Sequence, residues 1–248
     1  MNKACRKKNH LNSLIFFACL ILFNLLFISG CGLDTYYIID APPQVINEPL
    51  YSSIEAASQY FEFTTAEKTY SGIKFLGTDV YYKIYRSSSR LETETSNIKT
   101  IAGDIETATN APTRLIETYK YQPLEMSHVY GDPVFIPAAG YNRTVRIRLS
   151  DRDPYKAEVL VNGKTFKDPS AVPVRSIVTT AGDPTFTFSS TQPSLLPKSG
   201  DEDVDYSSTG NDNEWYVAMF AIAVAQDSTY TPIYSNVLYL GSVTISVK

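Results

Sequence analysis

The residues to weigh first are those whose chemistry depends on spacing. Asp201-Glu202-Asp203-Val204-Asp205 sets acids at alternate positions. Carboxylate oxygens at Asp201, Asp203 and Asp205 are hard ligands of the kind Ca²⁺ takes. The EF-hand loop needs Gly at its sixth position and Glu at its twelfth, and here Tyr206 and Asp212 stand there. A solvated acidic loop is therefore expected, with calcium as the competing reading. Arg143, Arg146, Arg148 and Arg152 form a basic island. On a strand, Arg146 and Arg148 share one face and could meet an anionic glycan or a partner's carboxylates. Local pairing to Asp151 and Asp153 is the expectation against which that is set. His128 has Ser127 and Asp132 close in sequence, but adjacency is not triad geometry, and no Gly-x-Ser-x-Gly elbow occurs. Gly163-Lys164-Thr165 ends like a phosphate-binding loop, yet Glu158 stands where its first Gly belongs. No catalytic site, no metal centre and no cofactor is expected.

Cys31 has the clearest chemical part. Lys3, Arg6, Lys7 and Lys8 form a positive stretch without an acid; Leu14–Leu22 is an unbroken apolar run, extended by Leu25–Ile28. This is the pattern of a secretory signal peptide over 1–30. Ile28-Ser29-Gly30-Cys31 closes it with an aliphatic residue, two small residues and a thiol. That ending resembles a bacterial lipobox. The resemblance implies cleavage before Cys31, a diacylglycerol on its thiol and acylation of its amine. A retained membrane helix is the competing reading, because Leu11–Ile28 approaches the roughly 20 residues that span a bilayer. Asn12, Ser13 and Asn24 interrupt that run. Each buried CH₂ contributes about 0.8 kcal/mol, so a multiply acylated Cys31 would hold the chain on a membrane where one short chain would not.

Cleavage changes the composition. The whole chain of 248 residues has 22 basic and 26 acidic residues, net −4. Residues 1–30 carry four of the basic residues and none of the acidic ones, which leaves 18 against 26, net −8. Nucleic acid is not an expected partner, since affinity there rests on basic residues against phosphates. Cys5 and Cys19 leave with the leader and Cys31 is taken by lipid, so the mature chain has no pair of thiols for a disulfide. With 44% apolar residues, packing can build the core.

The elements that must position these side chains are mostly strands. Residues 31–50 read as a lipidated tether ending in a first strand, with Tyr36–Ile39 broken by Asp40-Ala41-Pro42-Pro43. Tyr60–Thr64 and Val80–Tyr85 alternate, with Phe61 and Phe63, then Val80, Tyr82 and Ile84, on one face. Tyr81 and Tyr85 fall on the other face and could serve an exposed aromatic surface. About 88–121 turns helical: Ser89-Arg90-Leu91-Glu92 reads as a capping box, and Asn110-Ala111-Pro112 as a second helix start. Glu158–Phe166 is a hairpin turning on Asn162-Gly163. Gly131-Asp132-Pro133-Val134-Phe135 and Gly182-Asp183-Pro184-Thr185-Phe186 are similar turns entering strands. About 189–214 is a long acidic loop, expected to be functional or disordered. Trp215–Ala225, apolar at nearly every position, fits a central strand covered on both faces. Asn236–Leu240 and Val243–Val247 close the chain, with a break expected at Gly241.

Val80–Ser87 resembles the third strand of a fibronectin type III domain, Tyr216–Ala221 its sixth, and Tyr234–Leu238 the entry to its last. The resemblance implies a mainly β fold, a fibronectin/immunoglobulin-like β-sandwich, carrying here a helical insertion. The chain departs from that family in two ways. More than 100 residues separate the third-strand and sixth-strand matches, and Phe61 and Phe63 stand where the family has a core Trp. The chain as a whole resembles uncharacterised lipoproteins of Treponema-type spirochaetes, which implies the cell envelope. The expectation is a β-rich domain over 51–248, lipid-anchored to the bacterial cell membrane or outer membrane and facing periplasm or surface. Its part would be a non-catalytic binding or structural module for an envelope protein or glycan. The alternatives are a carbohydrate-active hydrolase and a carrier of an apolar ligand.

Overall fold

The computed structural model describes residues 37–248 apart from 54, 105, 130, 178–183 and 211–212. The expected signal peptide over 1–30, Cys31 and Tyr36 lie outside the described residues. In chain order the strands begin with β1 (Gln44–Asn47), β2 (Phe61–Thr64) and β3 (Lys74–Tyr85). Helix α1 (Ser88–Gly103) follows, then a helical turn, α2 (Ala111–Thr113), which runs on as the π-helical Arg114–Thr118. Next come β4 (Gln122–Pro123), β5 (Glu125–Met126), β6 (Ile136–Pro137), β7 (Thr144–Arg148), β8 (Glu158–Val161), β9 (Lys164–Thr165) and β10 (Pro173–Val174). The chain closes with β11 (Val204–Asp205), β12 (Glu214–Gln226) and β13 (Pro232–Ser246).

The fold is mainly β and its main sheets are largely antiparallel. One sheet has the order β1-β2-β7-β8-β9, and the other runs β11-β3-β12-β13, with β4 and β6 also pairing β3. Period-2 alternation decides which side chains meet. Phe61, Phe63, Val145 and Ile147 of the first sheet pack with Val80, Tyr82, Ile84, Val217 and Met219 of the second in one core. The opposite face of the second sheet buries Tyr81, Tyr85, Phe220 and Ile222 against Leu91 and Ile98 of α1 and against Leu115. β12 is therefore covered on both faces, which is why its sequence carries almost no polar residue. Tyr81 and Tyr85, which could have served an exposed surface, are both buried and pack with the α1 cluster.

Several local expectations change. The segment after Tyr36 is not a strand; β1 begins only after the Pro42-Pro43 break. Ser89 is not a cap: the N-cap residue is Ser87, whose hydroxyl meets that of Ser89 at 3.0 Å rather than capping a backbone N–H, and Glu92 accepts instead from the Tyr51 hydroxyl. Thr93, Thr95 and Thr100 are tolerated inside α1 because each hydroxyl donates to the carbonyl four residues back. The hairpin forms as expected, with Asn162 and Gly163 both at positive φ and Val161 opposite Lys164. Gly241 does not break β13. It sits at a bulge with φ 115°, and Pro49 crosses so close that an added Cβ would lie 2.7 Å from the Pro49 carbonyl oxygen. Ser242 donates its N–H to that carbonyl at 2.9 Å, so the Pro49 crossing pairs part of an otherwise open edge. Among the described residues no helix is long and apolar enough to cross a membrane.

Candidate functional site

One edge of β3 pairs β12 throughout, while the other is shared by three short strands, β6, β4 and, at its end, β11. β6 pairs it at Gly77 and Thr78, and β4 pairs it at Tyr81 and Tyr82. Between them the ladder is interrupted. The Leu124 N–H donates to the Val80 carbonyl at 2.7 Å, and the Phe135 N–H donates to Asp79 Oδ1 at 2.7 Å. The chain leaves the sheet edge after Leu124 and returns at Phe135. The space it bows around is a cleft of about 440 Å³. Asp79 and Tyr81 form its floor, with Leu124, Met126, Val134 and Phe135 as apolar wall. Glu125, Asp132 and Lys167 also line it, and Lys167 is ion-paired to Asp132.

Asp79 is the perturbed group of this cleft. Burial raises its carboxyl to about 6, with the Phe135 N–H pulling the other way. Burial also pushes the Tyr81 hydroxyl up, so it stays neutral. A carboxyl that binds its proton more tightly folded than unfolded stabilises most below about pH 4, and that contribution is lost as pH rises through about 6. Asp79→Asn keeps an acceptor for Phe135 and removes the buried charge. It should raise stability by up to about 3 kcal/mol at pH 8 and leave it nearly unchanged at pH 4, read from urea midpoints at the two pH values. Asp79 was not singled out in the sequence. The signal was there, since an acid inside an alternating aromatic strand is unusual company. The opposite wall comes from the Gly131-Asp132-Pro133-Val134-Phe135 turn; its counterpart beginning at Gly182 lies partly outside the described residues.

The acidic run, expected as a solvated loop, is instead engaged by the chain's own cations. Asp203 is fully buried and grips Arg175: Nε donates to Oδ2 at 2.8 Å and Nη2 to Oδ1 at 2.7 Å. Tyr82 donates its hydroxyl to Asp203 Oδ2 at 2.8 Å, and Asp201 takes Arg175 Nη2 at 2.7 Å. Asp205 turns the other way, to Arg90 at 2.9 Å and Lys83 at 3.9 Å. The chain's own cations occupy the oxygens a metal would need, and no group of three metal-binding side chains is gathered among the described residues. The expected loop also contains β11, which pairs in parallel with the end of β3.

The basic island is likewise absorbed. Arg148 is buried and donates to the carbonyls of Ala56 at 2.8 Å and Gln59 at 3.3 Å, so it cannot meet a partner's anion. Arg146 pairs Glu62 at 3.1 Å and lies over the Tyr60 ring. Arg143 pairs Glu67 at 3.2 Å, and Arg152 donates to the Thr244 carbonyl. Asp151 takes Lys156 rather than an arginine. The expected local pairing to Asp151 and Asp153 gives way to contacts that pin loops to the sheets. His128 is exposed, while the Ser127 hydroxyl accepts the Val172 N–H at 3.0 Å and Asp132 holds Lys167, so the three form no triad. No protein-family model, no curated protein and no solved structure matches this chain. The likeness to fibronectin type III strands rests on the residues quoted for it.

Proposed function

We propose that this chain is a lipid-anchored protein of the bacterial cell envelope whose folded domain is a binding module. The observation that carries it is Ile28-Ser29-Gly30-Cys31 behind a basic and then apolar leader. The binding part is supported by the Asp79 cleft, a small-molecule-sized hollow with apolar walls and one perturbed carboxylate. We further infer a fibronectin/immunoglobulin-like β-sandwich. Neighbours β1-β2-β7 in one sheet and β3-β12-β13 in the other parallel the A-B-E and C-F-G neighbours of that architecture. On this reading α1 and the turns after it are an insertion between the third and later strands.

The anchoring test is direct. Cys31→Ala should abolish incorporation of a labelled fatty acid and release the protein from the membrane fraction; undiminished labelling would overturn the proposal. One observation favours a second reading, a carbohydrate-active hydrolase. A carboxyl raised to about 6 shares its cleft with Glu125 and Asp132, the kind of split environment that acid–base pairs use. Hydrolysis of a panel of aryl glycosides that disappears in Asp79→Asn would establish the hydrolase in place of the module.

A further inference from the structure

We propose that the Asp79 cleft binds a small organic ammonium ion, its charged head on the Asp79 carboxylate and its carbon body against the apolar wall. The inference rests on the binding-module reading and names the ligand class of that module.

Geometry supplies the first argument. Among the described residues the Phe135 N–H is the one hydrogen bond that Asp79 receives, and it occupies Oδ1. Lys167 is the cation lining the cleft, and it is held by Asp132. Asp79 Oδ2 is thus left for a donor arriving from the cleft. A strand residue that only had to accept one backbone N–H would serve as well as Asn or Ser. A carboxylate is worse for that task, because burying a charge costs more than one neutral hydrogen bond returns.

Charge and shape supply the second. Asp79, Glu125 and Asp132 against Lys167 leave the lining at net −2, which repels carboxylate and phosphate ligands. Leu124, Met126, Val134 and Phe135 offer a surface for carbon. A volume of about 440 Å³ suits a small molecule rather than a polymer. A hard metal ion fits poorly, since Ca²⁺ takes six to eight oxygens and no such group is gathered among the described residues.

The test uses the full-length chain in detergent and three probes of one shape: phenethylamine, phenylacetate and 2-phenylethanol, titrated calorimetrically at pH 8. Phenethylamine should bind at least about tenfold more tightly than the neutral alcohol, and phenylacetate should bind weakest. Asp79→Asn should erase the amine's advantage while its circular dichroism stays that of the parent, which separates lost charge from lost fold. Equal binding of amine and alcohol, or an amine preference that survives in Asp79→Asn, overturns the ammonium assignment and leaves a binding module in place. No binding of any probe to folded protein overturns the cleft as that module's site. Neither result touches the anchoring at Cys31, which the fatty-acid label reads separately.

Discussion

Arg175→Met is expected to cost about 3–5 kcal/mol, a third or more of the stability of an ordinary domain. Arg175 is 2% exposed and Asp203 is 0% exposed. Removing the guanidinium leaves a carboxylate in the interior with one neutral donor, the Tyr82 hydroxyl. Burial alone would lower the Arg175 pKa, but Asp203 and Asp201 more than offset it and raise it. Arg175 is therefore charged at any working pH. The fork also joins three distant pieces. Arg175 follows β10, Asp203 precedes β11, and Tyr82 lies in the middle of β3 with its oxygen accepting the Ser176 N–H at 2.8 Å. Asp203→Leu alone should cost less, because Asp201 still takes Arg175 Nη2 at 2.7 Å. The double variant Arg175→Met with Asp203→Leu should recover much of the loss, since an apolar pair of similar volume often replaces a buried ion pair without penalty. Urea midpoints of the three variants give the cycle. Additive losses would mean that the two side chains do not act as a pair.

What local pattern encodes was legible, and what long-range pairing encodes was not. Phe61 and Phe63, and Val80, Tyr82 and Ile84, alternate with a period that only a half-buried strand explains. Asn162-Gly163 specifies its turn chemically, because both residues tolerate positive φ. The apolar run of β12 required cover on two faces, and both covers exist. Charged residues carry no such local code. Arg148 and Asp203 read as surface because charge usually is surface, and Arg175 was not singled out at all. They are inside because of partners 28 to 121 residues away, which no window of sequence displays. The same blindness hid Asp79. Its partner Phe135 lies 56 residues on, and the cleft between them arises from where two short strands share one edge. The acidic run misled for a further reason. Acids at alternate positions of a strand would share one face, but only Val204–Asp205 is strand, and Asp203 and Asp205 are drawn to different cations, Arg175 and Arg90.

Glu94→Ala should be the second severe substitution, at about 3–5 kcal/mol. Glu94 is 7% exposed and Lys83 is 8% exposed. Lys83 Nζ donates to Glu94 Oε1 at 2.7 Å and to the Tyr119 carbonyl at 2.7 Å. The Tyr85 hydroxyl reaches the same Glu94 oxygen at 3.0 Å and is hydrogen-bonded to the Tyr121 hydroxyl at 2.8 Å. Burial holds both tyrosines well above the ordinary phenol range, so neither adds a charge. This cluster is how α1 meets the sheet: one carboxylate on the helix answers a cation and a phenol on β3. Truncating Glu94 leaves the ammonium under the helix with a carbonyl and the more distant Asp205. Glu94→Gln should cost less, about 1–3 kcal/mol, because the amide oxygen can still accept from both donors although it lacks the charge. Leu91 and Ile98 keep the helix packed in either variant, so the loss should appear as a lower urea midpoint with an unchanged slope. A lower slope would mean that α1 detaches in the native state and that the polar cluster, rather than its apolar stripe, docks it. Both variants lose the charge, so the excess of the Ala loss over the Gln loss reads the cavity and the missing acceptor: equal losses would show that the stranded lysine alone sets the cost.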